Sequence, residues 1–172
     1  MQTPSDQSYR LIPLTQEQFA KVDPADYEWL SKFRWHARWS PCTHTFYAVR
    51  SSPRVDGKQH PIHMHREIMG LKKGDGLLCD HREPSETLDN RRSNLRIATR
   101  RQNNCNQRLS ARNTSGFKGV WFYPRGGKKV WHAAIRVDGK HISLGYFAMP
   151  EEAARAYAEA AMRFNGEFAR TE

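Results

Sequence analysis

The chain has 172 residues, 38% of them apolar and 27% charged, with a net charge of +10 and a sequence pI of about 9.9. That is enough apolar material for one medium or two small folded domains, which excludes a disordered chain. The basic balance is that of a nucleic-acid binder. No stretch is apolar and long enough to span a bilayer, no signal peptide opens the chain, and no basic amphipathic helix carries large apolar anchors, so an intracellular, cytoplasmic protein without a membrane partner is expected.

Residues 1–61 read as a β-rich N-terminal region. Tyr9 to Leu14 and Phe46 to Arg50 have strand composition. Asp23 and Pro24 open a short helix through Tyr27, Trp29, Leu30 and Phe33, with Asp23 as N-cap. Asp56-Gly57 is a hairpin turn signal. Ile62-His63-Met64-His65 alternates like a strand, placing His63 and His65 on one face. That pair is read as structural, with Arg66 the contact to phosphate or to the neighbouring loop. Cys42, Cys79 and Cys105 are odd in number and lack a Cys-x-x-Cys pair, so reduced buried thiols are expected, with no disulfide or structural zinc.

Leu77-Leu78-Cys79 reads as a strand that delivers Asp80 and His81. Residues 82–93 are a polar loop, Leu95 to Ile97 a second strand, and Thr99 to Gln102 a capping box that starts a helix at Arg100 and carries Asn103. A carboxylate beside an imidazole, with two carboxamides at fixed distances downstream, suits phosphodiester hydrolysis. Asp80 and Asn103 offer hard oxygen donors for Mg²⁺ or another divalent cation such as Mn²⁺. His81 is the general base, and Asn94 braces the loop and orients that base. No Ser-His-Asp arrangement, phosphate-cradling glycine loop or isolated carboxylate pair offers different chemistry. Residues 88–113 hold Arg91, Arg92, Arg96, Arg100, Arg101, Arg108 and Arg112 against the single acid Asp89. Such a belt is expected to grip the phosphates of double-stranded DNA.

Ser110 to Gly116 reads as a linker. Three strands follow near 117–123, 130–137 and 140–147, the last two joined at Asp138-Gly139. A helix then opens at Pro150-Glu151-Glu152 and stops at Gly166, with Ala153, Tyr157, Ala160, Ala161 and Phe164 on its apolar face. Period-2 alternation sets Val120, Phe122, Trp131, Ala133, Ile135, Ile142 and Leu144 toward the helix. It sets Lys118, Trp121, Tyr123, His132, Arg136, His141 and Ser143 on the other face, with Arg125 on the first hairpin. A basic, aromatic sheet face is expected to read duplex DNA.

Two resemblances sharpen this reading. Met64-His65-Arg66, Cys79-Asp80-His81, Leu88 to Arg96 and Thr99 to Asn103 resemble the HNH homing endonuclease family, in the branch whose last histidine is replaced by asparagine. The loop Arg82 to Thr87 lacks the glycine-rich turn often seen there. The resemblance implies a ββα-metal nuclease core over residues 62–110, with His81 as base, Asn94 as the middle motif residue, and Asp80 and Asn103 on the metal. It also implies 5′-phosphate and 3′-hydroxyl products and suits a mobile-element or phage origin, with the host cell cytoplasm as the setting.

Residues 113–170 resemble the Apetala-type domain of plant ethylene-response factors, which also occurs fused to HNH endonucleases. The carrying runs are Ser115 to Val120, Trp131 to Arg136, Leu144 to Phe147 and Glu151 to Tyr157. By this resemblance Lys118, Trp121, Tyr123, Arg125, Arg136, His141 and Ser143 touch DNA. Several plant arginines are replaced here by aromatic or small residues, so plant-type sequence specificity does not carry over. The expected whole is an α+β, metal-dependent HNH DNA endonuclease with a C-terminal targeting domain. The alternative is a DNA-binding regulator with an inactive nuclease core. The sequence assigns no oligomeric state.

Overall fold

The computed structural model describes residues 8–110, 112–125 and 128–171, and for residues 125, 128 and 129 the backbone alone. The protein is α+β, with several small antiparallel sheets and few helices. It divides into two compact units, Met1–Arg100 and Arg101–Glu172.

The first unit opens with the antiparallel pair β1 (Arg10–Pro13) and β2 (Phe19–Val22), in register from Arg10 opposite Val22 to Pro13 opposite Phe19. Helix α1 (Pro24–Leu30) follows, with proline in its first turn where no amide donor is needed. Asp23 occupies the N-cap position, yet its side chain caps nothing. Its carboxylate instead accepts from the Arg92 amide at 2.7 Å. A long-range partner has taken the group that local chemistry assigns to the helix.

Strands β3 (His36–Ser40), β4 (Thr45–Ser51) and β5 (Pro61–His63) form a sheet in that order. Helix α2 (Met64–Ile68) begins one residue after β5. The alternating run at Ile62 to His65 is therefore split between strand and helix. Met64 and Ile68, four apart on α2, are buried because the helical period turns both toward the core.

Strands β6 (Leu78–His81) and β7 (Leu95–Ala98) then pair antiparallel, with Asp80 opposite Arg96 and His81 opposite Leu95. Helix α3 (Arg100–Cys105) follows, and the division between the units falls within it.

One core serves the whole first unit. Ile12, Ala20, Val22, Leu30, Trp35, Ala48, Met64, Ile68 and Leu95 pack together, with Cys79 and Leu88 against them. The N-terminal region and the β6–β7 hairpin thus bury one common apolar surface. The loop between β6 and β7 is also tied to that region by backbone. Lys21 donates to Leu88 O at 2.9 Å, Asn90 donates to Lys21 O at 2.8 Å, and Thr87 Oγ1 donates to Phe46 O at 2.6 Å. A polar loop of this length holds one shape because its amides find partners on neighbouring strands.

The second unit is a sheet of order β10-β9-β8 with one helix against it. The strands are β8 (Val120–Arg125), β9 (Lys128–Val137) and β10 (Lys140–Phe147), and the helix is α4 (Pro150–Asn165). Asp138 and Gly139 join β9 to β10 with φ of 48° and 81°, the left-handed pair that a two-residue hairpin requires. Val120, Ala133 and Ala153 form one buried cluster, and Ile135, Ala160 and Ala161 another; Tyr157 packs on both.

Alanines on α4 let the helix sit close. At Gly119, with φ of +66°, a Cβ would stand 2.1 Å from the Tyr157 ring and 2.8 Å from Ala134 O, so only glycine fits. The segment read as a linker holds a hydrogen-bonded turn. Asn113 Oδ1 accepts from the Gly116 amide at 2.7 Å, and Ser115 Oγ donates to Val120 O at 2.7 Å. Among the described residues no helix is long and apolar enough to cross a membrane.

Candidate active site and nucleic-acid interface

Strand β6 carries Asp80 and His81 side by side, both buried. Adjacent strand residues point to opposite faces, so the two side chains have different surroundings. Asp80 meets its cross-strand partner Arg96. Its Oδ2 accepts from Arg96 Nε at 2.9 Å and lies 2.8 Å from Nη2, with side chains 9% and 6% exposed.

His81 lies among rings. Its centroid is 5.0 Å from that of His65 and 6.0 Å from that of Tyr47, both edge to face. Tyr47 on β4 also meets the rings of His63 and His65, at 6.0 and 5.7 Å. The His63 and His65 rings are 5.2 Å apart. The strand-to-helix turn, rather than a shared strand face, brings them together.

Burial pushes the His81 imidazole down to about 4; a hydrogen bond with Asn90 and the charge of Asp89 oppose that shift. His65 is held well below the usual histidine value by burial first, then by His81, His63 and Arg66. His63 is lowered by burial and by Arg38 and Arg66. All three rings are accordingly neutral near pH 7.

Asn94 closes the loop after His81. Its Oδ1 accepts from the Glu83 amide at 3.1 Å, while its Nδ2 donates to Asp89 O at 2.9 Å and Glu86 O at 3.2 Å. Asn90, fully buried, donates to Leu88 O at 3.1 Å. Asn103 lies on α3 and belongs to the second unit.

The donor types fit a hard divalent cation. Asp80 supplies a carboxylate and Asn103 a carboxamide oxygen, the hard oxygen donors such a cation takes.

Four of the seven belt arginines pair with acids among the described residues. Arg91 Nε donates to Asp89 Oδ1 at 2.9 Å. Arg92 forks onto buried Asp26, with both bonds at 2.9 Å. Arg96 is committed to Asp80. Arg66 donates to Leu77 O at 2.9 Å and Lys72 O at 2.8 Å, beside Asp75 at 3.4 Å. Arg101 pairs with exposed Asp138 at 3.1 Å, and Arg100, at the start of α3, is exposed. Apart from Asp89, the acids that balance these arginines come from residues 26–80 and 138, beyond the window in which the arginines cluster.

Cysteine placement also departs from expectation, since Cys42 is exposed and Cys79 and Cys105 are half-buried, all as free thiols. Burial raises the Cys79 thiol to about 12.

On the sheet of the second unit, Trp121, Tyr123 and Tyr146 are 40%, 42% and 42% exposed. Trp121, His132 and Tyr146 are register partners across β8, β9 and β10. Their rings form one continuous rung. Trp121 meets His132 edge-on at 4.6 Å, and Tyr146 stacks on His132 at 4.6 Å. Tyr123 joins at 5.4 Å from Tyr146, and His132 Nε2 lies 2.8 Å from Ser143 Oγ. Burial lowers the His132 pKa.

Arg136 and His141 are exposed and pair across β9 and β10. Lys118 is engaged elsewhere, donating to Cys105 O at 3.0 Å and Gln107 O at 2.7 Å. Arg125 ends β8, and its side chain lies outside the described residues.

Sequence reasoning missed two residues. Tyr47 carries no local motif and joins His81 only through β4. Tyr146 escaped because strict alternation turns it toward the helix. A register shift between Ser143 and Gly145 reverses the alternation, and Gly145 sits there with φ of 129°. A lone glycine inside a strand run was the signal of that bulge.

No family model matches the chain, and neither a curated protein nor a solved structure does so.

Proposed function

We propose that the protein is a metal-dependent HNH endonuclease that hydrolyses DNA phosphodiester bonds, with the second unit binding the DNA. The observation that carries this reading is the Asp80-His81 strand paired with the Leu95-Arg96 strand, closed by Asn94 and followed directly by the helix of Asn103.

In the reaction, the His81 imidazole takes a proton from a water as that oxygen bonds to phosphorus. The bond from phosphorus to the 3′ oxygen breaks, the 3′ oxygen takes a proton from a solvent water, the 5′ phosphate is released, and His81 returns its proton to solvent. A base pushed down to about 4 is unprotonated at neutral pH, so the whole population is competent, at some cost in basicity. Ring contacts with His65 and Tyr47 fix its plane. Asn94 and Asn90 hold the loop that follows. Asp80 and Asn103 would hold the Mg²⁺ or Mn²⁺, which when bound neutralises charge at phosphorus and on the leaving oxygen. Arg96 fixes the carboxylate of Asp80.

A second reading rests on that same ion pair. If Asp80 serves only to neutralise Arg96, the protein is a DNA-binding regulator whose core does not cut.

Supercoiled plasmid separates the two. The nuclease nicks or linearises it with Mg²⁺ or Mn²⁺ and not with chelator. His81→Ala then lowers the rate about 10²–10⁴-fold while DNA binding persists. Cleavage by His81→Ala at the wild-type rate ends the catalytic assignment, and an inert wild type that still binds DNA selects the regulator.

A further inference from the structure

Acidic and basic residues of the second unit are spread unevenly between sheet and helix, with the acid Asp138 in the β9–β10 turn. Strands β8, β9 and β10 contain five Lys or Arg residues and no Asp or Glu. Glu151, Glu152 and Glu159 lie on α4, and Glu167 lies on the 3-10 turn Gly166–Phe168. Of the five basic strand residues, Arg136 stands with His141 on the outer face, whereas Lys140 alternates to the helix side, and α4 also carries Arg155 and Arg163. The strands, free of acids, are the layer more complementary to a polyanion.

The centre of that face is aromatic. The rung Trp121, His132 and Tyr146 crosses all three strands, with Tyr123 beside it. Arg136 and His141 form a basic rung four residues along β9, roughly 13 Å away at the rise of a strand. Between them lies the small rung Ala134–Ser143.

Intact duplex DNA offers such a face its phosphates and base edges, while its base faces are hidden in the stack. Rings gain most from bases that are already unstacked. We propose that this face is a stacking platform for the unpaired bases of single-stranded DNA. Bases rest on the Trp121, Tyr123 and Tyr146 rings, and the phosphate chain runs to Arg136 and His141. The inference rests on reading the second unit as a DNA binder and narrows the substrate from duplex to unpaired strand. For a nuclease, such a platform favours junctions, flaps or melted target sites.

The test uses the full chain in chelator, so that no DNA is cut. Fluorescence anisotropy compares a labelled oligothymidylate with a blunt hairpin duplex of equal length. Binding to the single strand is expected to be at least tenfold tighter, and Tyr146→Ala or Trp121→Ala should each weaken it roughly tenfold. Tyr146→Phe and Trp121→Phe, which keep a ring, should retain most of the affinity. Equal or tighter binding to the duplex, or alanine variants with unchanged affinity, overturns the platform and leaves the second unit a duplex binder. Failure to bind either DNA overturns the DNA-binding reading together with the platform.

Discussion

The β6–β7 region and the sheet of the second unit are both basic in sequence and differ in what the fold does with the charge. Around the hairpin, Arg66, Arg91, Arg92 and Arg96 each meet a carboxylate, and the paired groups range from the exposed Arg92 to the nearly enclosed Arg96 and Asp80. On the sheet, the strands lack acids, and apart from Asp138 in the β9–β10 turn the described carboxylates of the unit lie on α4 and the 3-10 turn after it. A tally of arginines therefore reports a binding surface only where the balancing acids lie on another face. Where they lie within reach, the same arginines act as internal ties.

Four experiments press on that contrast. The largest effect is expected at Arg96. Arg96→Met leaves the Asp80 carboxylate buried beside an apolar chain, which costs about 3–5 kcal/mol. Denaturant unfolding checks this, and a destabilisation below about 1 kcal/mol would mean that Arg96 is not an internal tie.

Gly119→Ala probes the other unit. Its methyl group must displace the Tyr157 ring or the backbone at Ala134 and hold a positive φ, for a cost of about 2–4 kcal/mol. Thermal melts of full-length protein should show this destabilisation in the transition of the second unit. An unchanged melt would show that α4 does not sit on the sheet so closely.

A graded effect comes from the histidine cluster of the first unit. His63 and His65 have folded pKa values below the ordinary histidine value of 6.5. Between their folded values and 6.5 the unfolded chain binds more protons than the folded one, so stability rises with pH there. Their contribution is complete above about 6.5 and declines as pH falls below it. The surroundings act in the same sense: His65 faces His63, His81 and Arg66, and His63 faces Arg38 and Arg66. Urea midpoints at about pH 7.5, 6.5 and 5.5 should fall in that order. His65→Gln should flatten the trend, and midpoints independent of pH would contradict neutral burial of these rings.

The smallest effect concerns salt. Arg100 is exposed and has no ion pair among the described residues, and Arg101 is tied only to an exposed Asp138. Their replacement by Gln should weaken binding to all DNA sequences alike. The log–log salt slope should become shallower by about 0.9 for each phosphate no longer neutralised on duplex, or about 0.7 on single strands. Arg92→Gln should leave the slope unchanged, because that guanidinium already holds Asp26. Equal slope changes in both variants would erase the distinction between available and committed arginines.

Much of the local structure was legible in the residues. Pro24, Pro150 and the Asp138-Gly139 turn restrict backbone angles within a few positions, so the starts of α1 and α4 and the last hairpin follow from local sterics alone. The β6–loop–β7–α3 order was likewise readable, since short apolar runs bounded by polar loops have few alternatives. Strands β2 and β3 went unread, because four or five residues with weak alternation take strand form only when a neighbour completes their hydrogen bonds.

The environment of the site belonged to the tertiary structure. Asp23 left its helix cap for Arg92, Tyr47 reached His81 from β4, and a one-residue bulge carried Tyr146 to the exposed face. Sequence determines which groups are present and their local angles. Ion pairs, desolvation and ring contacts depend on distances between residues far apart in the chain, and those distances exist only once the core has closed.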